Sequence, residues 1–166
     1  MDNGFEIGVI VLNKFGVLHR LTGLFSRRFY NIDSLSVAET ENPKYSRMTI
    51  AVRGDDRTKE QVIKQLNKCH DVIKVVDLEE KDSVFQEHML VKILVNSKNK
   101  EITDFANKYG AKVLDFCENA ITIELTGDKK LSDKFIAEAE KFDIIEFCRS
   151  GVVSLGRGEK HLLNIK

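Results

Sequence analysis

The chain has 166 residues, and its 26 lysines and arginines balance 26 aspartates and glutamates, which argues against a nucleic-acid-binding surface as its main activity. No apolar run reaches the length of a membrane span, and the N-terminus lacks the basic stretch of a signal peptide, so we expect a cytoplasmic protein. Three cysteines without a Cys-x-x-Cys pair indicate neither a disulfide framework nor a zinc site.

The first half of the chain predicts an alternation of strands and helices. Phe5–Leu12 is a nearly unbroken run of apolar strand-forming residues, and apolar residues from Val17 to about Phe29 recur at helical spacing. The further elements are strands at Ile32–Glu39, Ser46–Arg53 and Val72–Leu78, a hairpin turn at Glu41–Lys44, and a helix over Lys59–Cys69 that opens with Thr58 and Gln61 in capping-box spacing.

The same pattern repeats after a charged segment near residue 80. Its predicted elements are strands at His88–Asn96, Lys112–Phe116, Ala120–Leu125 and Ile144–Arg149, and helices at Glu101–Tyr109 (with Gly110 as C-cap) and Leu131–Phe142. Two βαββαβ units predict an α+β protein with two tandem ferredoxin-like sandwiches. We assign residues 1–79 to the first domain, 80–84 to a linker, 85–155 to the second domain and 156–166 to a flexible tail.

The loop between the first strand and the first helix, residues 13–16, is the candidate ligand site. Gly16 stands where a capping Ser, Thr, Asp or Asn is usual, so the first backbone N–H groups of the helix stay available to an anion. Asn13 adds a carboxamide with two donors and an acceptor. A free carboxylate with its neighbouring α-amino group fits such a place. The alternative is a plain strand-to-helix turn with glycine for its geometry.

The segment around this loop resembles a known family. The run L-N-K-F-G-V-L-x-R-L-x-G-L-F-S-R-R-F-Y-N-I-D-S-L-S-V-A over residues 12–38, followed by S-R-M-T-I over 46–50, is similar to the regulatory small subunit of acetolactate synthase (acetohydroxyacid synthase), whose N-terminal half is an ACT domain. The resemblance continues at Gly54-Asp55, Gln61–Lys68 and Arg149–Val153, and it covers nearly the whole chain.

The resemblance implies a non-catalytic regulatory subunit of branched-chain amino-acid biosynthesis. Its partner is the large catalytic subunit, which holds thiamine diphosphate, magnesium and FAD, while this chain needs no cofactor. It activates that subunit and confers feedback inhibition by valine or a related amino acid. Small domains with exposed sheet edges also favour a homodimer, formed in the family through the ACT domain. The alternatives are a free-standing amino-acid sensor and an RNA-recognition sheet, whose third-strand aromatics are lacking here.

The family's effector-binding motif carries over to positions of this chain. Asn13, Gly16 and the following amides hold the α-carboxylate and amino groups, and Asn31 of the neighbouring subunit completes the polar end. The aliphatic side chain is enclosed by Val17, Leu18, Ile32 and Val37. We find no candidate catalytic or metal-binding residue, because the four histidines are scattered without ligand spacing.

Phe29 departs from the family pattern, which places glycine just before the aromatic residue that precedes Asn31. A glycine at a helix end commonly adopts a left-handed conformation, which a phenylalanine adopts only at the cost of strain. The sequence therefore predicts that Phe29 bears this strain or that the helix ends differently and presents Asn31 at another angle. A packed core aromatic is the competing interpretation.

Overall fold

The computed structural model describes residues 4–95 and 99–159. The described residues form two compact units, one of residues 4–85 and 152–159 and the other within Gln86–Gly151. Within the described residues no helix is long and apolar enough to cross a membrane. The α+β fold class predicted from the sequence is confirmed, because each unit is an antiparallel sheet with two helices.

The first unit contains one four-stranded antiparallel sheet, and its elements lie close to the predicted positions. They are β1 (Gly4–Leu12), α1 (Val17–Ser26), β2 (Asn31–Glu39), β3 (Tyr45–Arg53), α2 (Asp56–Leu66) and β4 (Val72–Leu78). The strand order is β2-β3-β1-β4, so β2 and β4 are the edges. Alternate residues of β1 and β3, among them Ile7, Val9 and Ile50, pack against both helices in one core.

The second unit repeats this architecture. Its elements are β5 (Ser83–Leu94), α3 (Asn99–Lys108), β6 (Lys112–Phe116), β7 (Ala120–Gly127), α4 (Lys129–Ala139) and β8 (Ile144–Arg149), in the sheet order β6-β7-β5-β8. Met89, Val91 and Ile123 on the strands and Phe105 and Phe135 on the helices belong to one buried core. Gly110 has φ 64°, which confirms it as the left-handed residue after α3.

An ion-pair cluster around the buried carboxylate of Glu87 connects β8 to the rest of the second unit. Glu87 on β5 is only 3% exposed, and Arg149 on β8 donates to its carboxylate and also to Asp133 on α4, the latter at 2.7 Å. Burial lowers the pKa of Arg149, but the hydrogen bonds to Glu87 and Asp133 outweigh it, and the net shift is upward. The guanidinium therefore stays charged and compensates a carboxylate that has left water.

A short ninth strand, β9 (Val153–Gly156), was missed by the sequence reasoning. It pairs with β5, yet residues 152 onward group with the first unit. There the guanidinium of Arg47 on β3 donates to the backbone oxygen of Ser154, which is buried. Burial lowers the pKa of Arg47, an effect that Glu41 partly offsets. The last strand within the range expected for the second domain, 85–155, therefore belongs to the first unit.

Other differences from the expected boundaries have local causes. Ser83 and Val84 of the predicted linker lie in β5, and a turn over residues 79–82 joins β4 to β5. The capping-box prediction for α2 was wrong. Asp55 caps this helix and accepts from the N–H and hydroxyl of Thr58.

In the predicted tail, residues 156–159 are described and 160–166 lie outside the described residues, as does Asn96 of the predicted strand.

The end of α1 settles the alternatives for Phe29. Phe29 has φ 57°, in the left-handed region, and its side chain is 96% exposed, so it is strained and does not lie in the core. The Tyr30 N–H donates to Phe25 O at 3.1 Å and the Phe29 N–H to Ser26 O at 3.2 Å. These two bonds form a Schellman motif, the helix end that usually takes glycine at this position.

We expect Phe29→Gly to raise the free energy of unfolding by about 1 kcal/mol, because glycine enters the left-handed region without a Cβ clash. Denaturant titration at low protein concentration measures this. Arg27→Gly is the matched control, since Arg27 has φ −63° and glycine there should destabilise the chain. A loss of about 3–5 kcal/mol in Phe29→Gly would instead indicate removal of a packed aromatic.

Candidate functional site

The N-terminus of α1 lacks a capping side chain, as predicted. Gly16 is the N-cap, with φ 80°, and no side chain accepts a hydrogen bond from the first turn. The Val17 N–H reaches only Lys14 O, at 3.4 Å, and among the described residues no acceptor is recorded for the amides of Leu18 and His19. Two amides and the positive end of the helix dipole are therefore available to an anion.

Asn13 lies beside this helix start and is held by two partners that the sequence did not predict. Its Nδ2 donates to Glu39 Oε2 and to the backbone oxygen of Pro43, both at 3.0 Å. Its backbone N–H also donates to Lys44 O at 2.8 Å. Because both side-chain hydrogens are engaged, the carboxamide presents its oxygen as the group that can accept from an ammonium.

The predicted apolar residues differ in how far they face solvent. Val17 is 2% exposed and belongs to the core of the first unit, while Ile32 is half-buried against the same core. Leu18 on α1 and Val37 on β2 are exposed. Leu18 and Val37 thus remain available to contact a ligand. Val17 is not available, because it packs in the core of the first unit.

Asn31 lies far from the other polar residues of the candidate site within one chain. It opens β2, where it pairs with Arg53, whereas Glu39, the partner of Asn13, closes the same strand. Nine residues of strand separate the two positions by about 26 Å. The Nδ2 of Asn31 donates to Asp33 Oδ1 at 2.8 Å. One chain therefore does not bring Asn13, Gly16 and Asn31 together.

Two phenylalanines flank the polar residues and face solvent. Phe15, between Asn13 and Gly16, is fully exposed, and Phe29, which precedes Asn31, is almost as exposed. The described residues contain no group of three His, Cys, Asp or Glu side chains that could hold a metal ion. The groups that the first unit presents here are helix amides, the oxygen of Asn13 and exposed apolar side chains.

Comparison with known proteins places the chain in one family. Residues 7–74 match the family described as AHAS small subunit-like ACT domain, and residues 86–158 match the family described as small subunit of acetolactate synthase. The chain is 42% identical over 156 residues to a probable acetolactate synthase small subunit from Methanothermobacter thermautotrophicus, covering 93% of each chain.

Two further relatives are similar to this chain over almost their whole length. The acetolactate synthase small subunit of Haemophilus influenzae is 42% identical over 159 residues, which cover 95% of this chain and 98% of that protein. The crystal structure of the acetolactate synthase small subunit from Thermotoga maritima superposes with a TM-score of 0.87 at 32% identity, covering 95% and 99% of the two chains.

Proposed function

Because the chain belongs to the acetolactate synthase small-subunit family, we propose that it is a non-catalytic regulatory subunit in the cytoplasm. It binds the catalytic subunit of acetolactate synthase, raises its activity, and makes it sensitive to valine or a related branched-chain amino acid. The cofactors of the reaction, thiamine diphosphate, magnesium and FAD, belong to that catalytic subunit in this proposal. The observation that carries it is the uncapped N-terminus of α1 beside the anchored Asn13.

The effector in this proposal is a free amino acid bound at that helix start. Its α-carboxylate accepts from the amides of Leu18 and His19, where the helix dipole favours a negative charge. Its ammonium donates to the oxygen of Asn13, and Glu39 adds a negative charge nearby. An aliphatic side chain then lies against Leu18 and Val37, both exposed in the single chain, and against the half-buried Ile32.

The site is completed by a second copy of the chain. Asn31 is supplied by the neighbouring subunit, since within its own chain it lies at the far end of β2. A ligand held by two subunits has a different affinity for each arrangement of those subunits. Effector binding thereby shifts the quaternary geometry, and this is the coupling that feedback inhibition requires.

The test is an assay of the catalytic subunit with and without this chain, across valine, leucine and isoleucine. We expect this chain to raise the activity and one branched-chain amino acid to lower it again. Co-purification with the catalytic subunit separates the proposal from a free-standing sensor that acts on another enzyme. Unchanged activity together with failure to co-purify would refute the proposed function.

A further inference from the structure

A cleft lies on the second unit between α3 and the residues that follow α4. Its volume is about 490 Å³, within the range of pockets that hold small molecules. All of its lining residues belong to the second unit, whereas the candidate site at the start of α1 belongs to the first. The lining consists of Glu101, Asp104, Phe105 and Lys108 on α3, and of Lys141 and Phe142 after α4.

Lys141 supplies a positive charge to this cleft, and two aromatic rings hold its position. Its ammonium nitrogen lies 5.1 Å from the ring centroid of Phe105 and 5.0 Å from that of Phe142. Both distances allow a cation–π interaction, which restricts the side chain without neutralising its charge. Among the described residues no carboxylate pairs with Lys141. The ammonium is therefore available to an anion.

Glu101 and Asp104 supply two negative charges to the same cleft. Both are exposed, and their spacing of three residues places them side by side on one face of α3. Asp104 also stands four residues before Lys108, a spacing that favours an ion pair. Lys108 instead donates to Glu138 on α4 at 2.5 Å, and this hydrogen bond lowers the pKa of the Glu138 carboxyl. Within the described part of the chain no cation pairs with Glu101 or Asp104.

Exposed charges on a helix usually do no more than contact water, and this explanation accounts for Glu101 alone. Glu101 lies in the first turn of α3, where the helix dipole stabilises a negative charge. Asp104 lies beyond that turn and beside a like charge, an arrangement that destabilises a helix. Lys141 meanwhile stays without a carboxylate although two unpaired carboxylates line the same cleft. Opposite charges that line one cleft without pairing with each other fit a ligand that carries both charges.

We propose that this cleft binds a free amino acid with an apolar side chain. Its carboxylate accepts from Lys141, and its ammonium donates to Glu101 and Asp104. Its side chain contacts the rings of Phe105 and Phe142. The site differs from the one at the start of α1, because no helix amide takes part and one chain supplies every contact. Because the three charged side chains are exposed, we expect a Kd in the millimolar range that rises with salt concentration.

Titration of the full-length protein with leucine tests the proposal, in the Gly16→Asp background that blocks the site at the start of α1. Calorimetry measures the affinity, and the backbone amide NMR shifts of Asp104 and Phe142 locate the ligand. Two analogues are matched probes, since isocaproate lacks the ammonium of leucine and isoamylamine lacks its carboxylate. We expect leucine to shift these amides and each analogue to bind roughly tenfold more weakly, because it leaves one set of charges unpaired.

Variants identify the side chains that hold the ligand. Lys141→Met keeps an apolar stem over the rings but removes the charge, and we expect it to weaken leucine binding roughly tenfold. Glu101→Gln combined with Asp104→Asn should have a similar effect. Lys129→Met is the matched control, because Lys129 is an exposed lysine at the other end of α4 and outside the cleft. It should leave the affinity unchanged, and thermal melts confirm that each variant is folded.

Three outcomes would overturn the proposal. The amides of Asp104 and Phe142 could stay unshifted at about 50 mM leucine, well above a millimolar Kd. Isocaproate could bind as tightly as leucine, which would exclude the carboxylates as ligands. A folded Lys141→Met variant could bind leucine as tightly as its parent. None of these outcomes bears on the proposed function, because activation and inhibition of the catalytic subunit are measured with a protein that keeps Gly16.

Discussion

Gly16→Asp is expected to abolish inhibition by the amino-acid effector while activation of the catalytic subunit survives. The new carboxylate would occupy the N-terminus of α1, where the α-carboxylate of the effector binds in the proposed site. Two negative charges about 4 Å apart at an effective dielectric constant near 20 repel by about 4 kcal/mol, which is roughly a thousandfold in affinity. Titration of the activity of the reconstituted complex with valine, leucine and isoleucine measures the effect.

The structure provides a matched control for this variant. Gly16 has φ 80°, and a Cβ there would meet only the end of the Arg20 side chain, at 3.2 Å, so any side chain brings backbone strain but little crowding. Gly16→Asn has nearly the same size and tolerates the left-handed conformation comparably, but it carries no charge. Its carboxamide can accept from the same helix amides as the carboxylate of Gly16→Asp, so we expect it to weaken inhibition too, but less, and the difference between the two variants measures the charge. Equal inhibition of Gly16→Asp and the unmodified protein would remove the effector from this helix end.

Arg149→Met is expected to destabilise the second unit by about 3–5 kcal/mol. The substitution removes the guanidinium that compensates Glu87, a carboxylate only 3% exposed, and leaves a charge without a partner inside the protein. The lost hydrogen bond to Asp133 should matter less, because that carboxylate is half exposed on α4 and can be solvated. Denaturant unfolding followed by a probe in the second unit measures the loss.

A double variant separates the buried charge from lost packing. Arg149→Met combined with Glu87→Met replaces the pair by apolar side chains, and such replacements of buried ion pairs are often neutral. We expect most of the lost stability to return in the double variant. If the double variant is as unstable as Arg149→Met alone, the contribution of Arg149 is packing of its side chain rather than charge compensation.

The elements that follow from local sequence were predictable. Apolar spacing at Val17, Leu21 and Leu24 located α1, and the absence of a capping residue at Gly16 was confirmed. The left-handed residue at the end of α1 was one of the alternatives that the sequence left open for Phe29, and its φ of 57° and exposed side chain decide among them. These features depend on residues within one or two helical turns of each other.

The features that escaped prediction depend on contacts between distant parts of the chain. Glu39 and Pro43 hold Asn13 across the β2–β3 hairpin, and nothing in the residues next to Asn13 signals them. β9 is a four-residue strand that becomes recognisable only through its pairing with β5. The place of Asn31 in the site requires a second copy of the chain, so it stays a proposal.

Because β9 belongs to the first unit, the two units are completed in a fixed order during synthesis on the ribosome. Synthesis proceeds from the N-terminus at roughly 5–20 residues per second, so Ser154 emerges only after all of Gln86–Gly151 has been made. The guanidinium of Arg47 can donate to the backbone oxygen of Ser154 only after this last strand has been synthesised. The unit that begins first is thus finished last, and the second unit can fold while the first is still incomplete.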